Sequence, residues 1–243
     1  MPLIAIIIPC FNEEKRLATA EIAHFLRSHS NYHFVFVNDG STDNTANILH
    51  ALRAGNMQQV TNITLQANRG KAIAIREGFL LIVPQERYAF VGYWDADLST
   101  GLNELLRISE IVIERRLEFA FGSRMKKLNA TIQRSGFRHF AGRITTTIID
   151  SCFKLGIYDT QCGAKLFSAG IAEIISREAF VTDWLFDIEI FLRIEENCPG
   201  ATGDEIPLLS WTSHQGSKIS ILNTPGLMVE FIKLIRRYKK GEK

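Results

Sequence analysis

Asp95-Ala96-Asp97 sets two carboxylates one residue apart, in the polar cluster that closes the apolar run ending at Tyr93. On a chain leaving a sheet, both can reach a hard divalent cation that keeps its other positions for water and substrate phosphates, which suits Mg²⁺ or Mn²⁺. Taken alone, such a tripeptide is more often a polar loop that caps the next helix. Its setting adds weight, because polar clusters follow apolar runs at four places: after Ile8, after Val37 (Asn38 to Thr42), after Leu65 (Asn68-Arg69-Gly70-Lys71) and after Tyr93. In an open parallel sheet ligands gather beyond the carboxyl ends of the strands. The first cluster reads Pro9-Cys10-Phe11-Asn12-Glu13 and not GxGxxG, and no GxxxxGK[ST] occurs, so neither familiar phosphate cradle is present.

Delivering these loops to one edge requires alternating strands and helices. Leu3 to Ile8 is a β-branched run, and Asn12, Glu13 and Glu14 open a helical pattern through Ile22, Phe25 and Leu26. His33 to Val37, Thr61 to Leu65, Tyr88 to Tyr93 and Glu118 to Phe121 repeat the strand signal. Helical patterns fall between them, the last over Leu102 to Arg116. This alternation predicts one α/β domain, a mostly parallel sheet with helices on both faces and right-handed crossovers. Gly122 to Leu155 is Arg-rich and mixed, and is read as amphipathic helix plus loop. Ala164 to Phe167 is expected as a short strand, Trp184 to Ile194 as a buried helix and Glu205 to Trp211 as a late strand. At the C-terminus Leu227, Met228, Phe231, Leu234, Ile235 and Tyr238 share one helical stripe among Lys and Arg residues.

Composition sets the class. Of 243 residues 46% are hydrophobic and 22% charged, which excludes a largely disordered or coiled-coil chain, and a net charge of +2 makes no case for nucleic acid. Cys10, Cys152, Cys162 and Cys198 are far apart without zinc spacing, as expected of reduced thiols in the cytosol. The opening MPLIAIIIPC lacks a basic region and reads as a buried strand. No stretch reaches the roughly 18 apolar residues of a bilayer-spanning helix, so any membrane relation is expected to be peripheral.

Several segments, in order, carry a resemblance: Ile8-Pro9-Cys10-Phe11-Asn12-Glu13, Asp39-Gly40-Ser41-Thr42-Asp43, Asn68-Arg69-Gly70-Lys71, Asp95-Ala96-Asp97-Leu98-Ser99 and Gly122-Ser123-Arg124. Together they resemble the inverting family 2 glycosyltransferases of GT-A, Rossmann-like fold. Asp159-Thr160-Gln161-Cys162-Gly163-Ala164-Lys165 and Phe186-Asp187-Ile188-Glu189 narrow the likeness to polyprenyl-phosphate and dolichyl-phosphate glucosyl- and mannosyltransferases.

The resemblance implies a role for each matched position. Pro9, Phe11, Asn12, Glu13, Asp39, Gly70 and Lys71, with Asp95, Ala96 and Asp97, would bind the nucleotide sugar, Asp39 accepting from base or ribose. Many relatives carry two acidic residues where this chain has Asn38-Asp39. Asp95 and Asp97 would hold the metal that neutralises the departing diphosphate. Arg124, Arg134, Ser135 and Arg138 match positions that bind the acceptor phosphate. The chain would then divide into a nucleotide-sugar half over 1–122, an acceptor half over 123–222 and a basic amphipathic helix over 223–243.

The implied reaction moves a hexose, glucose before mannose, from UDP-glucose or GDP-mannose to a polyprenyl phosphate by in-line displacement. Asp97, Asp159, Asp187 and Arg124 are the expected catalytic group. A phosphate with a second pKa of about 6 attacks without a strong base. A glycan hydroxyl as acceptor would need one, with Asp187 or Asp159 the candidate. Asp159 and Glu189 can instead be structural, bonding backbone amides around the site. The implied setting is the cytosolic membrane face in cell-envelope glycan synthesis, with lipid, a partner or a second copy as the means of recruitment. A non-catalytic sugar-nucleotide-binding module is the rival outside enzymes.

Overall fold

Ile4, Ala5, Ile6, Ile7 and Ile8 offer no polar side chain to water, and in the computed structural model they form the buried middle of a sheet, β1 (Ile4–Cys10). The structure describes residues 1–125, 131–133, 150–212 and 224–238. The strand β1 is followed by α1 (Thr19–Ser28), β2 (Tyr32–Asn38), α2 (Thr45–Ala54), β3 (Val60–Thr64), α3 (Lys71–Ile82), β4 (Phe90–Trp94), α4 (Leu102–Arg115) and β5 (Phe119–Ser123). Then come β6 (Thr131–Gln133), β7 (Ala164–Ser168), α5 (Ala169–Arg177), α6 (Phe186–Asn197), β8 (Gly203–Pro207), β9 (Ser210–Thr212) and α7 (Thr224–Tyr238).

The main sheet has seven strands in the order β3-β2-β1-β4-β7-β5-β8, and β6 pairs with β9 in a small parallel ribbon. Alternate residues of the buried strands face opposite layers. Ile4, Ile6, Ile8, Phe34 and Phe36 pack under α1, α2 and α4, whereas Ala5, Ile7, Val35 and Val37 pack under α3, α5 and α6. Helix α6 is apolar on two sides because Phe186, Ile190 and Ile194 face the sheet while Leu185, Ile188 and Leu192 meet Leu234 of α7.

The sheet is mostly parallel, as the alternation predicts, with one reversal. Strand β7 runs antiparallel between β4 and β5. Its first residue therefore lies beside the last residues of its neighbours, and the turn 159–163 joins the carboxyl-end loops. Strand β8 is parallel to β5 and brings Leu208 and Leu209 to the same edge.

Four local expectations change. Helix α1 begins at Thr19, not after Asn12-Glu14, because Asn12 takes a left-handed φ of 53° and Glu13 closes a turn with Arg16 and Leu17. The late strand splits into β8 and β9, since the buried Glu104 carboxylate accepts from the Leu209 and Ser210 amides at 2.9 and 3.1 Å and bends the chain between them. Helix α5 was not expected, although Ile171, Ala172 and Ile175 make a stripe and Ser168 Oγ caps it by accepting from the Ile171 amide. In α7, Leu227, Phe231, Leu234 and Tyr238 pack inward as the stripe implies, whereas Met228 is 56% exposed beside Val229 and Ile232.

His33 offers a check on this packing. It lies buried at the start of β2, with Nε2 2.9 Å from Thr61 Oγ1. Burial, with the Arg87 charge adding to it and the Gln58 backbone opposing, lowers its pKa from 6.5 to about 4. The unfolded chain therefore takes up this proton first, and the contribution is complete above pH 6.5 and lost as pH falls towards 4. His33→Gln is expected to flatten the pH dependence of urea-denaturation midpoints across that window; an unchanged slope would contradict the burial of a neutral ring.

Candidate active site

The first two loops lock together before any ligand is considered. The Asn12 amide donates to Ser41 Oγ at 3.0 Å, and Asn12 Oδ1 accepts from the Thr42 amide at 2.9 Å. The Glu13 amide donates to Thr45 Oγ1 at 2.8 Å, and Glu13 Oε1 accepts from Arg16 at 2.5 Å. Pro9 and Phe11 flank this junction, both half-buried. Asp39 is buried, with one oxygen accepting from the Arg69 amide at 2.8 Å and the other from the Gly70 amide at 2.9 Å. It thereby pins the loop before α3. Gly40 makes that approach feasible, since it has a φ of 64° and a side chain there would lie well under 3.0 Å from the Ala67 backbone. Gly70 precedes the first residue of α3, Lys71.

Lys71 reaches across to the fourth loop. Its Nζ is 2.6 Å from Asp95 Oδ1 and lies 5.8 and 5.9 Å from the ring centres of Tyr93 and Phe186. Burial works against its charge, but Asp95, Asp187 and Asp97 outweigh it and hold the ammonium above the ordinary lysine pKa. Asp95 and Asp97 are both half-buried, Ala96 between them is buried, and Asp97 Oδ1 accepts from the Ser99 amide at 3.0 Å. Beneath Asp95 lies Gly163 of the 159–163 turn, whose carbonyl accepts from the Asp95 amide at 3.0 Å.

Arg124 and Asp159 form the other wall. The guanidinium donates through Nε and one Nη to both Asp159 oxygens, each at 2.7 Å, and the Arg124 amide donates to Oδ2 at 3.0 Å. Both side chains are nearly buried. Burial opposes the Arg124 charge and Asp159 more than offsets it, so the pKa rises. Glu205 of β8 accepts from the Tyr158 and Asp159 amides, both at 2.8 Å, and the Trp211 ring lies 5.5 Å from the guanidinium. The ribbon reaches the loop after β4, because the Thr212 amide donates to the Ser99 carbonyl. Cys162 is buried here, and burial, with Asp159 adding to it, pushes its thiol up to about 12, so it stays protonated.

Asp187 lies in the first turn of α6, where its Oδ1 accepts from Lys165 Nζ at 2.6 Å and from the Tyr93 hydroxyl. Glu189 is structural: it accepts from the Val181 amide, the Thr182 hydroxyl, Arg193 and Tyr238. The fold thus gathers Asn12, Glu13, Asp39, Gly70, Lys71, Asp95, Asp97, Arg124, Asp159 and Asp187 at the carboxyl edge of the sheet. Arg134, Ser135 and Arg138 lie outside the described residues. Lys165, Tyr93 and Gly163 belong to this site without an expected role. Lys165 and Gly163 stand within the motif that carried the resemblance, and their partners are set only by the reversed strand.

Known proteins agree with this architecture. The family model described as Glycosyl transferase family 2 matches residues 5–179. The dolichyl-phosphate beta-glucosyltransferase of Dictyostelium discoideum is 29% identical over 98% of this chain and 75% of its own length. That of Saccharomyces cerevisiae is 30% identical over 96% and 74%. Among solved structures, glucosyl-3-phosphoglycerate synthase from Mycobacterium tuberculosis, crystallised with Mn²⁺, uridine-diphosphate and glucosyl-3-phosphoglycerate, superposes with a TM-score of 0.68 over 100% of this chain and 82% of its own. At 12% identity that likeness concerns the fold.

Proposed function

The chain belongs to glycosyl transferase family 2, and we propose that it transfers glucose from UDP-glucose to dolichyl or another polyprenyl phosphate, with inversion at the anomeric carbon. Its first half, 1–122, holds the donor and 123–222 the acceptor. The observation that carries this reading is the pairing, across the 159–163 turn, of a carboxylate-and-lysine wall with an arginine wall.

The residues of the first wall fit a divalent cation. Asp95 and Asp97 are hard oxygen donors, and among the described residues no third acidic, His or Cys ligand joins them. That suits Mg²⁺ or Mn²⁺, which keep waters and substrate phosphates in their shells. When bound, the ion neutralises charge on the departing diphosphate. Lys71 adds a fixed positive charge beside it, and Asp39 holds the Arg69-Gly70 backbone that delivers Lys71.

Two observations favour a phosphate acceptor over a glycan hydroxyl. Both Asp159 oxygens already accept from Arg124, and Asp187 Oδ1 already accepts from an ammonium and a phenol. Neither is arranged as a base, and a largely dianionic phosphate needs none at neutral pH. Arg124, aimed by Asp159, would meet that phosphate together with Arg134, Ser135 and Arg138. Positioning and charge neutralisation then carry the rate.

Among the described residues no helix is long and apolar enough to cross a membrane. Peripheral attachment at the cytosolic face fits the outward side of α7, where Met228, Val229 and Ile232 are exposed beside Lys233 and Arg236. All four cysteines are unpaired, in keeping with a reducing compartment.

The test offers the purified chain UDP-glucose or GDP-mannose with Mg²⁺ and a short polyprenyl phosphate. Glucosyl lipid from UDP-glucose, with UDP release dependent on the lipid phosphate, is expected. Equal transfer to the corresponding polyprenol, or release independent of lipid, would overturn the proposal.

A further inference from the structure

Lys165 is the second residue of β7 and has no exposed surface. Its Nζ is 2.6 Å from Asp187 Oδ1 and 2.7 Å from the Cys162 carbonyl, and it lies 5.3 and 5.6 Å from the ring centres of Tyr93 and Phe191. An ammonium stripped of water is costly, and a buried ion pair is often no more stable than apolar residues filling the same volume. Stability alone therefore gives little reason for a lysine buried within this sheet. What it does reach is informative. One contact fixes the turn that carries Asp159 and Gly163, and the other fixes Asp187 in the first turn of α6.

We propose that Lys165 is a positioning residue that, with the Tyr93 hydroxyl, holds the Asp187 carboxylate in place beside Lys71, so that Asp187 serves the donor site without acting as a base. This rests on the phosphate-acceptor reading above. The groups facing Asp187 come from three other elements: Lys165 from β7, Tyr93 from β4 and Lys71 from α3, with Asp95 beyond Lys71. Removing Lys165 takes away the positive charge in direct contact with the carboxylate, and a buried carboxyl deprived of its counter-charge keeps its proton to higher pH.

The experiment compares Lys165→Met, Asp187→Asn and the double variant in the full chain. Breaking the pair should lower the melting temperature of Lys165→Met by about 10 °C at pH 8 and by less at pH 5.5, where a protonated Asp187 is tolerated. Its kcat should fall roughly tenfold at neutral pH, with the acid limb of the profile displaced upward. Because Lys71 keeps its own contact with Asp95, UDP affinity by calorimetry should stay within about threefold. The double variant, with no uncompensated charge, should regain most of the lost melting temperature without regaining turnover. A wild-type pH profile in Lys165→Met, or full turnover in the double variant, would make Lys165 merely structural. If Lys165→Met does not fold, the double variant still decides. Should the wild type fail to glucosylate lipid phosphate, the acceptor reading falls, while the pH dependence of melting still tests the pairing.

Discussion

Gly163→Ala is expected to lower kcat roughly a hundredfold while leaving the protein folded, the scale of loss that follows an ångström of misplacement at a reacting centre. A Cβ built at this position lies well under 3.0 Å from all three carboxylate atoms of Asp95. Something has to move, and the mobile partner is the half-exposed Asp95 side chain rather than the strand β7 beneath it. Its displacement breaks the contact with Lys71 Nζ and pulls one of the two proposed metal donors away from Asp97. Gly163 has no left-handed φ, so alanine adds no backbone strain, and overpacking alone costs about 1–3 kcal/mol. Gly170→Ala is the matched control, because a Cβ there meets nothing within 4 Å. Steady-state kinetics with circular dichroism of both variants provides the measurement. Undiminished turnover in Gly163→Ala would mean that Asp95 does not act from the position described.

That dependence marks the limit of what the sequence makes legible. The loops after β1, β2, β3 and β4 could be read directly, since each follows an apolar run and parallel strands bring their ends to one edge. The turn 159–163 could be recognised by its wording, but its place under Asp95 depends on β7 running backwards, and no period in Ala164–Ser168 encodes strand direction. Asp187 was legible as a candidate base for the same reason that its actual setting was not. The lysine and tyrosine that occupy it lie 22 and 94 residues away along the chain. Helix α5 carries an ordinary apolar stripe and a serine cap, so its signal is present in the sequence. The start of α1 misled in the opposite sense: Asn12-Glu13-Glu14 has the composition of a helix opening, yet those residues are spent on bonding Ser41, Thr42, Asp43, Asn44 and Thr45 of the neighbouring loop.

On the proposed acceptor side the largest loss should come from Asp159→Ala. Asp159 accepts three hydrogen bonds from Arg124, two of them from the guanidinium, and both side chains are nearly buried. Removing the carboxylate leaves that cation without its counter-charge, and breaking a buried pair in this way costs about 3–5 kcal/mol. The guanidinium also loses the two bonds that set its plane, so turnover on lipid phosphate should fall roughly a hundredfold. UDP affinity should remain near that of the wild type, because Lys71, Asp39 and Asp95 are untouched. Arg124→Lys should be intermediate in stability but similarly poor in transfer, since an ammonium keeps the charge and not the fork. Denaturant unfolding supplies the first quantity, lipid-phosphate kinetics the second and calorimetry with UDP the third. Equal losses in UDP binding and in transfer would place Arg124 and Asp159 on the donor side of the cleft and overturn the division of the site into two walls.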